Sequence, residues 1–195
     1  MRFPIFLLLS LATIAAGQTL SADNDFPLTG SQRLSWTVKS TIGPASLAGG
    51  AISAGFGTAF NLPEEYGTHW DGFGKRYGMR LTGVATSNVM EAGLGAVWGE
   101  DPRYLRAAGQ PFGSRLKNIV KMTFLAYDRE GHTMPAYARY AAYSGNNFLS
   151  NTWRADSEAT TSKAVVRTSL GFLGRMASNA FVEFWPDVRD HLHPK

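Results

Sequence analysis

The chain has 195 residues, 19 Lys and Arg against 15 Asp and Glu, 21 Gly and no Cys. An apolar share of 44% with only 17% charge excludes a disordered polyelectrolyte, because such chains lack the apolar surface that offsets ordering entropy. The lack of Cys excludes disulfides, thiolate metal sites and Cys nucleophiles together.

The N-terminus reads as an address. Arg2 is a short basic region, Phe3 to Leu11 is apolar apart from Pro4 and Ser10, and Ala15-Ala16-Gly17 supplies small residues for cleavage before Gln18. Residues 1–17 are therefore expected to be a signal peptide, and the protein an exported one of the periplasm or the cell-envelope membrane. Residues 18–32 lack periodicity and read as a flexible arm, and 33–195 as one helical domain. Residues 18–100 hold 5 basic and 7 acidic side chains, whereas 101–195 hold 13 and 8. A basic half in an exported protein points to a membrane or envelope component before nucleic acid. A solvated basic face fits the same count.

From Ser40 to Leu62 there is no charge. Pro44 suits a first helical turn and Pro63 stops what precedes it. Ala45, Gly49, Ser53 and Gly57 recur every four residues, a ladder of small side chains that lets two helix backbones approach closely, while Ile52, Phe56 and Phe60 mark another face. The stretch is long enough for a bilayer, which needs about 20 residues, but its five Gly weaken it, so a membrane helix and a buried core helix both stay open.

Residues 64–80 read as a glycine-punctuated connector, and Met79 to Trp98 as a helix. Asp101-Pro102 suggests a cap and a short turn, and Ser114 a cap for a helix with Leu116, Ile119, Val120, Thr123 and Phe124 on its apolar face. Asp128 to Gly131 is a turn. After Pro135, the residues Tyr137, Tyr140, Ala141, Ser144 and Phe148 repeat the helical spacing. Asp156 or Ser157 can cap a long last helix with the face Val166, Leu170, Leu173, Ala177, Ala180, Phe181 and Phe184, which Pro186 ends or kinks. Arg33 to Ile42 alternates as a strand does. The sum predicts an all-α bundle of four to six helices, with a small-residue, glycine-rich helix and a long C-terminal one.

No catalytic or nucleotide-cradling motif is present, so no cofactor is expected. His69 and Asp71 sit together without a local nucleophile, and with Glu91 they are the weak catalytic candidates. His191 and His193 cannot close a zinc site, and no metal is expected. Glu91 is the lone charge between Val84 and Trp98; if buried it needs a cation, and Arg76 and Arg103, with Asp101 beside the latter, form the expected buried polar cluster. Asn146, Asn147 and Asn151 interrupt an aromatic helix. Arg175, Asn179 and Glu183 share one face of the last helix, which is expected to meet water.

Phe73-Gly74-Lys75-Arg76-Tyr77-Gly78, Glu91, Glu100-Asp101-Pro102-Arg103-Tyr104, Asn146-x-Phe148-x-Ser150-Asn151 and Glu183-Phe184-Trp185-Pro186-Asp187 resemble the motifs of an uncharacterised family of exported, glycine-rich helical proteins common in acidobacteria. The resemblance covers about residues 66–190 and departs at Arg154-Ala155-Asp156-Ser157. It implies a signal peptide and a mostly helical, glycine-rich body, and names no activity.

These readings together predict an envelope protein with a structural or interaction role, packing against membrane or against copies of itself, and not an enzyme. The alternatives are a small envelope hydrolase using His69, Asp71 and Glu91, or a carrier. In the carrier, helices Tyr137–Trp153 and Val166–Trp185 line an apolar cavity of several hundred Å³.

Overall fold

A computed structural model describes residues 26–192; the expected signal peptide and the first part of the arm, residues 18–25, lie outside it. The first ordered helix is set by a reciprocal cap. Gln32 N–H donates to Thr29 Oγ1, and Thr29 N–H donates to Gln32 Oε1 at 2.8 Å, which satisfies two otherwise orphaned donors and starts α1 (Gly30–Ile42). The strand-like alternation of Arg33 to Ile42 is thus helical, and the helix begins inside the expected arm. Trp36 is its buried anchor.

Gly43 closes α1 and Pro44 opens α2 (Pro44–Ala59) at its first position. That break divides the uncharged stretch. Among the described residues no helix is long and apolar enough to cross a membrane.

The expected connector at 64–80 is instead mostly helix. After a single 3-10 turn at Glu64–Tyr66, α3 runs unbroken from Trp70 to Trp98. Two of its glycines, Gly72 and Gly95, are there for space. A Cβ on Gly72 would lie 2.4 Å from the Tyr66 carbonyl oxygen and 2.5 Å from that of Gly67, so the incoming loop packs directly on the helix backbone. Gly99, at φ +82°, ends α3 in the left-handed conformation.

Asp101-Pro102 opens no helix. The segment is extended, Asp101 pairs with Tyr127 as a β-bridge, and its Oδ1 accepts the N–H of Arg103 at 2.8 Å. Helix α4 (Phe112–Phe124) starts after Pro111, earlier than Ser114. A small antiparallel hairpin follows, β1 (Leu125–Tyr127) with β2 (Thr133–Pro135), Ala126 opposite Met134. Its turn at Asp128–Gly131 is held by Asp128 Oδ1, which accepts from Glu130 and His132 N–H. Helix α5 (Tyr137–Leu149) leads through two 3-10 turns to α6 (Thr161–Leu192). Thr160, not Asp156 or Ser157, caps α6, and the helix continues through Pro186.

The result is a largely helical bundle with a long C-terminal helix. α3 is the central element, with α1, α2 and α5 packed on it, and α6 packs on α4 and α5. Two faces are rotated from expectation. In α5 the buried residues are Ala138, Arg139, Ala142 and Asn146, and Tyr137 and Phe148 are exposed. In α6 the face expected to meet water is the buried one: Asn179 and Glu183 are enclosed, while Val166 and Leu173 are outside. Small residues occupy several contact lines, so helices sit close, and the buried carboxylates among them find partners on neighbouring helices and loops.

Candidate functional site

Arg139 Nε donates to Glu91 Oε1 at 2.9 Å, and its Nη1 donates to the carbonyls of Met122 and Thr123, both at 2.9 Å. One guanidinium therefore neutralises the α3 carboxylate and caps the end of α4. Burial lowers the Arg139 pKa, and the nearby charge of Arg175 adds to that. Arg175 Nη2 lies 3.7 Å from the same Glu91 oxygen and donates to the Pro102 carbonyl.

The expected partners of Glu91 are elsewhere. Arg76, four helical turns back on α3, donates to the carbonyls of Leu62, Gly67 and Pro63 at 2.8, 2.6 and 2.7 Å and so pins the loop before the helix. Arg103 grips Asp101, with Nη2 to Oδ2 at 2.7 Å. The expected cluster of Glu91, Arg76, Arg103 and Asp101 is thus three separate sites. The chain folds back at Gly99, which brings α5 rather than the flanking connectors onto Glu91.

Nor do the catalytic candidates meet. His69 and Asp71 are exposed at the start of α3, with Asp71 paired to Lys75 at 3.5 Å. Glu91 lies twenty residues further along one continuous helix, about 30 Å away. A hydrolase built on His69, Asp71 and Glu91 is therefore set aside.

Of the small-residue ladder, Gly49 and Gly57 are buried and Ser53 lines a cavity; the side chain of Ala45 lies outside the described part. The close approach to α3 is made at Gly57 and at Gly50, where a Cβ would lie 2.8 Å from Arg76 Cδ and 2.9 Å from Tyr77 Cε2 respectively. Ile52, Phe56 and Phe60 point outward.

A second buried carboxylate, Glu183 on α6, gathers the loop after α3. Its Oε2 accepts from Tyr104 Oη at 2.8 Å and Ala107 N–H at 3.0 Å, and its Oε1 from Arg115 Nε at 2.7 Å. Burial and this carboxylate push the Tyr104 pKa up. Arg115 also pairs with Asp187 at 2.5 Å.

Between α1, α2, α3, α5 and α6 lies a cavity of about 460 Å³. Five arginines line it, Arg76, Arg80, Arg154, Arg167 and Arg175, and no Asp or Glu does among the described residues. Arg76 spends its donors on the loop before α3, whereas those of the other four are only partly used. Arg80 Nη1 donates to Ser46 O at 3.0 Å, but its buried Nε has no partner. Arg167 donates through Nη1 to Glu158 O and through Nη2 to Asn147 O and Asn151 Oδ1, and its Nε is unpartnered, as is that of Arg175. Arg154 donates through Nε to Ser150 Oγ at 3.1 Å, and its Nη groups meet no acceptor among the described residues. Burial lowers the pKa of Arg80 and Arg154, and lowers that of Arg167 to about 10, with the charge of Arg154 as the second cause. Among the described residues only Glu91, 3.7 Å from Arg175, and Glu158, 3.7 Å from Arg167, approach these five cations, so the space carries an excess of positive charge.

Sequence reasoning missed Arg80, Arg154 and Arg167. Arg80 carried a signal, as a lone charge one turn after Arg76 in a glycine-rich helix. Arg154 lies where the family resemblance breaks, and Arg167 sits among uncharged residues of α6. Only Asp128, Glu130 and His132 bring three metal-ligating atoms within 4.8 Å among the described residues, on the hairpin turn that Asp128 itself holds.

Comparisons with family models, with curated proteins and with solved structures return no match.

Proposed function

We propose that this chain is an exported envelope protein that binds an anionic small molecule, and that its role is binding rather than catalysis. The observation that carries the reading is the cavity wall, with five guanidinium groups and, among the described residues, no carboxylate. Burying a charge without full compensation is costly, and among the described residues only Glu91 and Glu158 come within 4 Å of the five arginines, so an anion entering the space stabilises them. Unused N–H groups on Arg80, Arg154, Arg167 and Arg175 supply the hydrogen bonds such a ligand needs. Native mass spectrometry of the purified chain tests this. A retained anion, lost in an Arg80→Gln/Arg154→Gln double variant, supports it, and a wild-type chain that retains nothing and binds no anion on titration opposes it.

The envelope setting rests on the signal-like residues 1–17 and on the family resemblance. N-terminal sequencing of the exported protein should give Gln18 or a close neighbour. An intact Met1 on the mature form contradicts export by cleavage.

A second, compatible reading is contact with an anionic membrane surface. Phe112, Leu116, Val120 and Phe124 recur every four residues along α4 and are all exposed. The only charges on that helix are Arg115, Lys117 and Lys121. An apolar stripe with only basic charge suits shallow insertion at a negatively charged interface. Flotation with vesicles containing anionic lipid should carry wild type but not Phe112→Ser/Val120→Ser. Self-association through the same stripe, seen as a dimer that this double variant abolishes, is the opposing result.

A further inference from the structure

We infer that the cavity takes a phosphate monoester with an apolar body, and that its phosphate sits over Gly83 among Arg154, Arg167 and Asn146. The inference rests on the anion-binding reading above and adds the ligand class and the place of its charge.

Gly83 marks the place. It is buried in the middle of α3, and a Cβ built on it would lie 3.9 Å from both Arg154 Nη2 and Asn146 Nδ2. Two donors from different segments therefore overhang one point where α3 carries no side chain. Arg80 stands one turn before Gly83 on the same helix, and Arg167 lies close enough to Arg154 for their charges to repel. Glu158 meets Arg167 Nη1 at 3.7 Å and Lys163 Nζ at 3.3 Å, and it forms no part of the cavity wall.

The charge and the donors select phosphate. Arg154 brings its cation to the point, and Arg167, whose partner Glu158 is 3.7 Å away and shared with Lys163, stands beside it; a monoester dianion neutralises more of that charge than a carboxylate does. A terminal phosphate also offers three acceptor oxygens, and guanidinium forks match them bidentately. Arg80 and Arg154 are each fixed by one bond, to Ser46 O and Ser150 Oγ, and Arg167 through both Nη groups with its Nε left over, so little ordering cost remains on binding.

The rest of the cavity calls for more than phosphate. Trp36, Met79, Val84, Leu170 and Val182 also line it, and its 460 Å³ far exceeds the room one phosphate fills. An apolar body attached to the phosphate covers that surface.

Calorimetric titration of the full chain at fixed ionic strength tests this with hexyl phosphate, heptanoate and inorganic phosphate. Hexyl phosphate should bind at least about tenfold more tightly than either of the others. Arg154→Gln should weaken hexyl phosphate by about tenfold or more, and so should Gly83→Val, whose side chain fills the proposed phosphate position; Arg189→Gln, on the exposed end of α6, should not. Circular dichroism checks that Gly83→Val is folded, and Arg154→Gln answers independently if it is not. Vesicles with and without phosphatidic acid separate the sources. Capture by phosphatidic acid that Arg154→Gln abolishes makes the monoester a lipid headgroup, and hexyl phosphate binding without capture makes it a soluble ester. Heptanoate binding as tightly as hexyl phosphate, or binding indifferent to Arg154 and Gly83, overturns the inference and leaves the anion reading standing. If no anion binds, both fall.

Discussion

Arg139 meets Glu91 through a 2.9 Å hydrogen bond from Nε to Oε1, with the two residues 1% and 2% exposed. The contact joins α5 to the middle of α3, 48 positions earlier in sequence, and no water-facing route relieves either charge. Removing one partner of such a pair costs about 3–5 kcal/mol, because the other is left buried and uncompensated. Glu91→Gln and Arg139→Met should each lower stability by that order in denaturant unfolding. Their double variant should cost clearly less than the sum, as expected for residues in direct contact. Strict additivity contradicts the pair.

Two glycines in the same helix should behave oppositely. Gly72→Ala places a methyl group against the carbonyl oxygens of Tyr66 and Gly67, which belong to backbone and cannot swing away. Gly74 has nothing within 4 Å, so Gly74→Ala gains helix propensity alone. Thermal unfolding should show Gly72→Ala destabilised by about 1–3 kcal/mol. Gly74→Ala should be stabilised by about 0.5–1 kcal/mol. Equal behaviour of the two contradicts the loop packing on α3.

Glu183 holds the loop 103–107 onto α6 by accepting from Tyr104, Ala107 and Arg115. Glu183→Gln keeps the shape but replaces one acceptor oxygen with an NH2 group that faces existing donors. A loss of about 3–5 kcal/mol is expected. Amide exchange at Ala107 should accelerate more than exchange in the β1–β2 hairpin. Unchanged protection at Ala107 contradicts this role.

Anion binding should weaken as pH rises through about 10, where Arg167 loses its proton. The ligand-free chain has the opposite trend from this group. Its folded-state pKa lies below the unfolded value, so above pH 10 the unfolded state binds more protons and the Arg167 contribution to stability rises with pH. The rise in Tm given by a fixed anion concentration should therefore be smaller at pH 10.5 than at pH 8. An equal rise at both values contradicts a part for the Arg167 charge.

The helical architecture was legible from the pattern of Pro44, Pro63, Pro135 and the apolar spacing of the last helix, because caps and periodicity are local signals. The faces were not. Period analysis assigns apolar residues to the interior, and here Val166, Leu173, Phe112 and Phe148 are exposed while Arg139, Asn179 and Glu183 are enclosed. A polar residue becomes a core residue only when a distant segment supplies its partner, and the partners of Glu91 and Glu183 come from 48 and 68 to 79 positions away. Glu91 stood out as an isolated charge in an apolar run. Its mate did not, since Arg139 sits between tyrosines that themselves looked like the inner face. The continuous α3 was hidden by Gly72, Gly74 and Gly78, which read as turns until Tyr66 and Gly67 are seen packed on Gly72. The cavity required Arg80, Arg154 and Arg167 to converge from three segments, which no local spacing reports.

Thermal unfolding at constant ionic strength, with rising concentrations of hexyl phosphate exchanged against chloride, tests the cationic cavity most directly. A ligand present at about 100 times its Kd adds about 2.7 kcal/mol to the folded state. For a chain of this length that should raise Tm by about 5–10 °C. Wild type should show that rise, Arg80→Gln/Arg154→Gln should show little of it, and Arg189→Gln should match wild type. A Tm that does not move with the anion, or that moves equally in the cavity variant, contradicts the assignment of this space as a binding site.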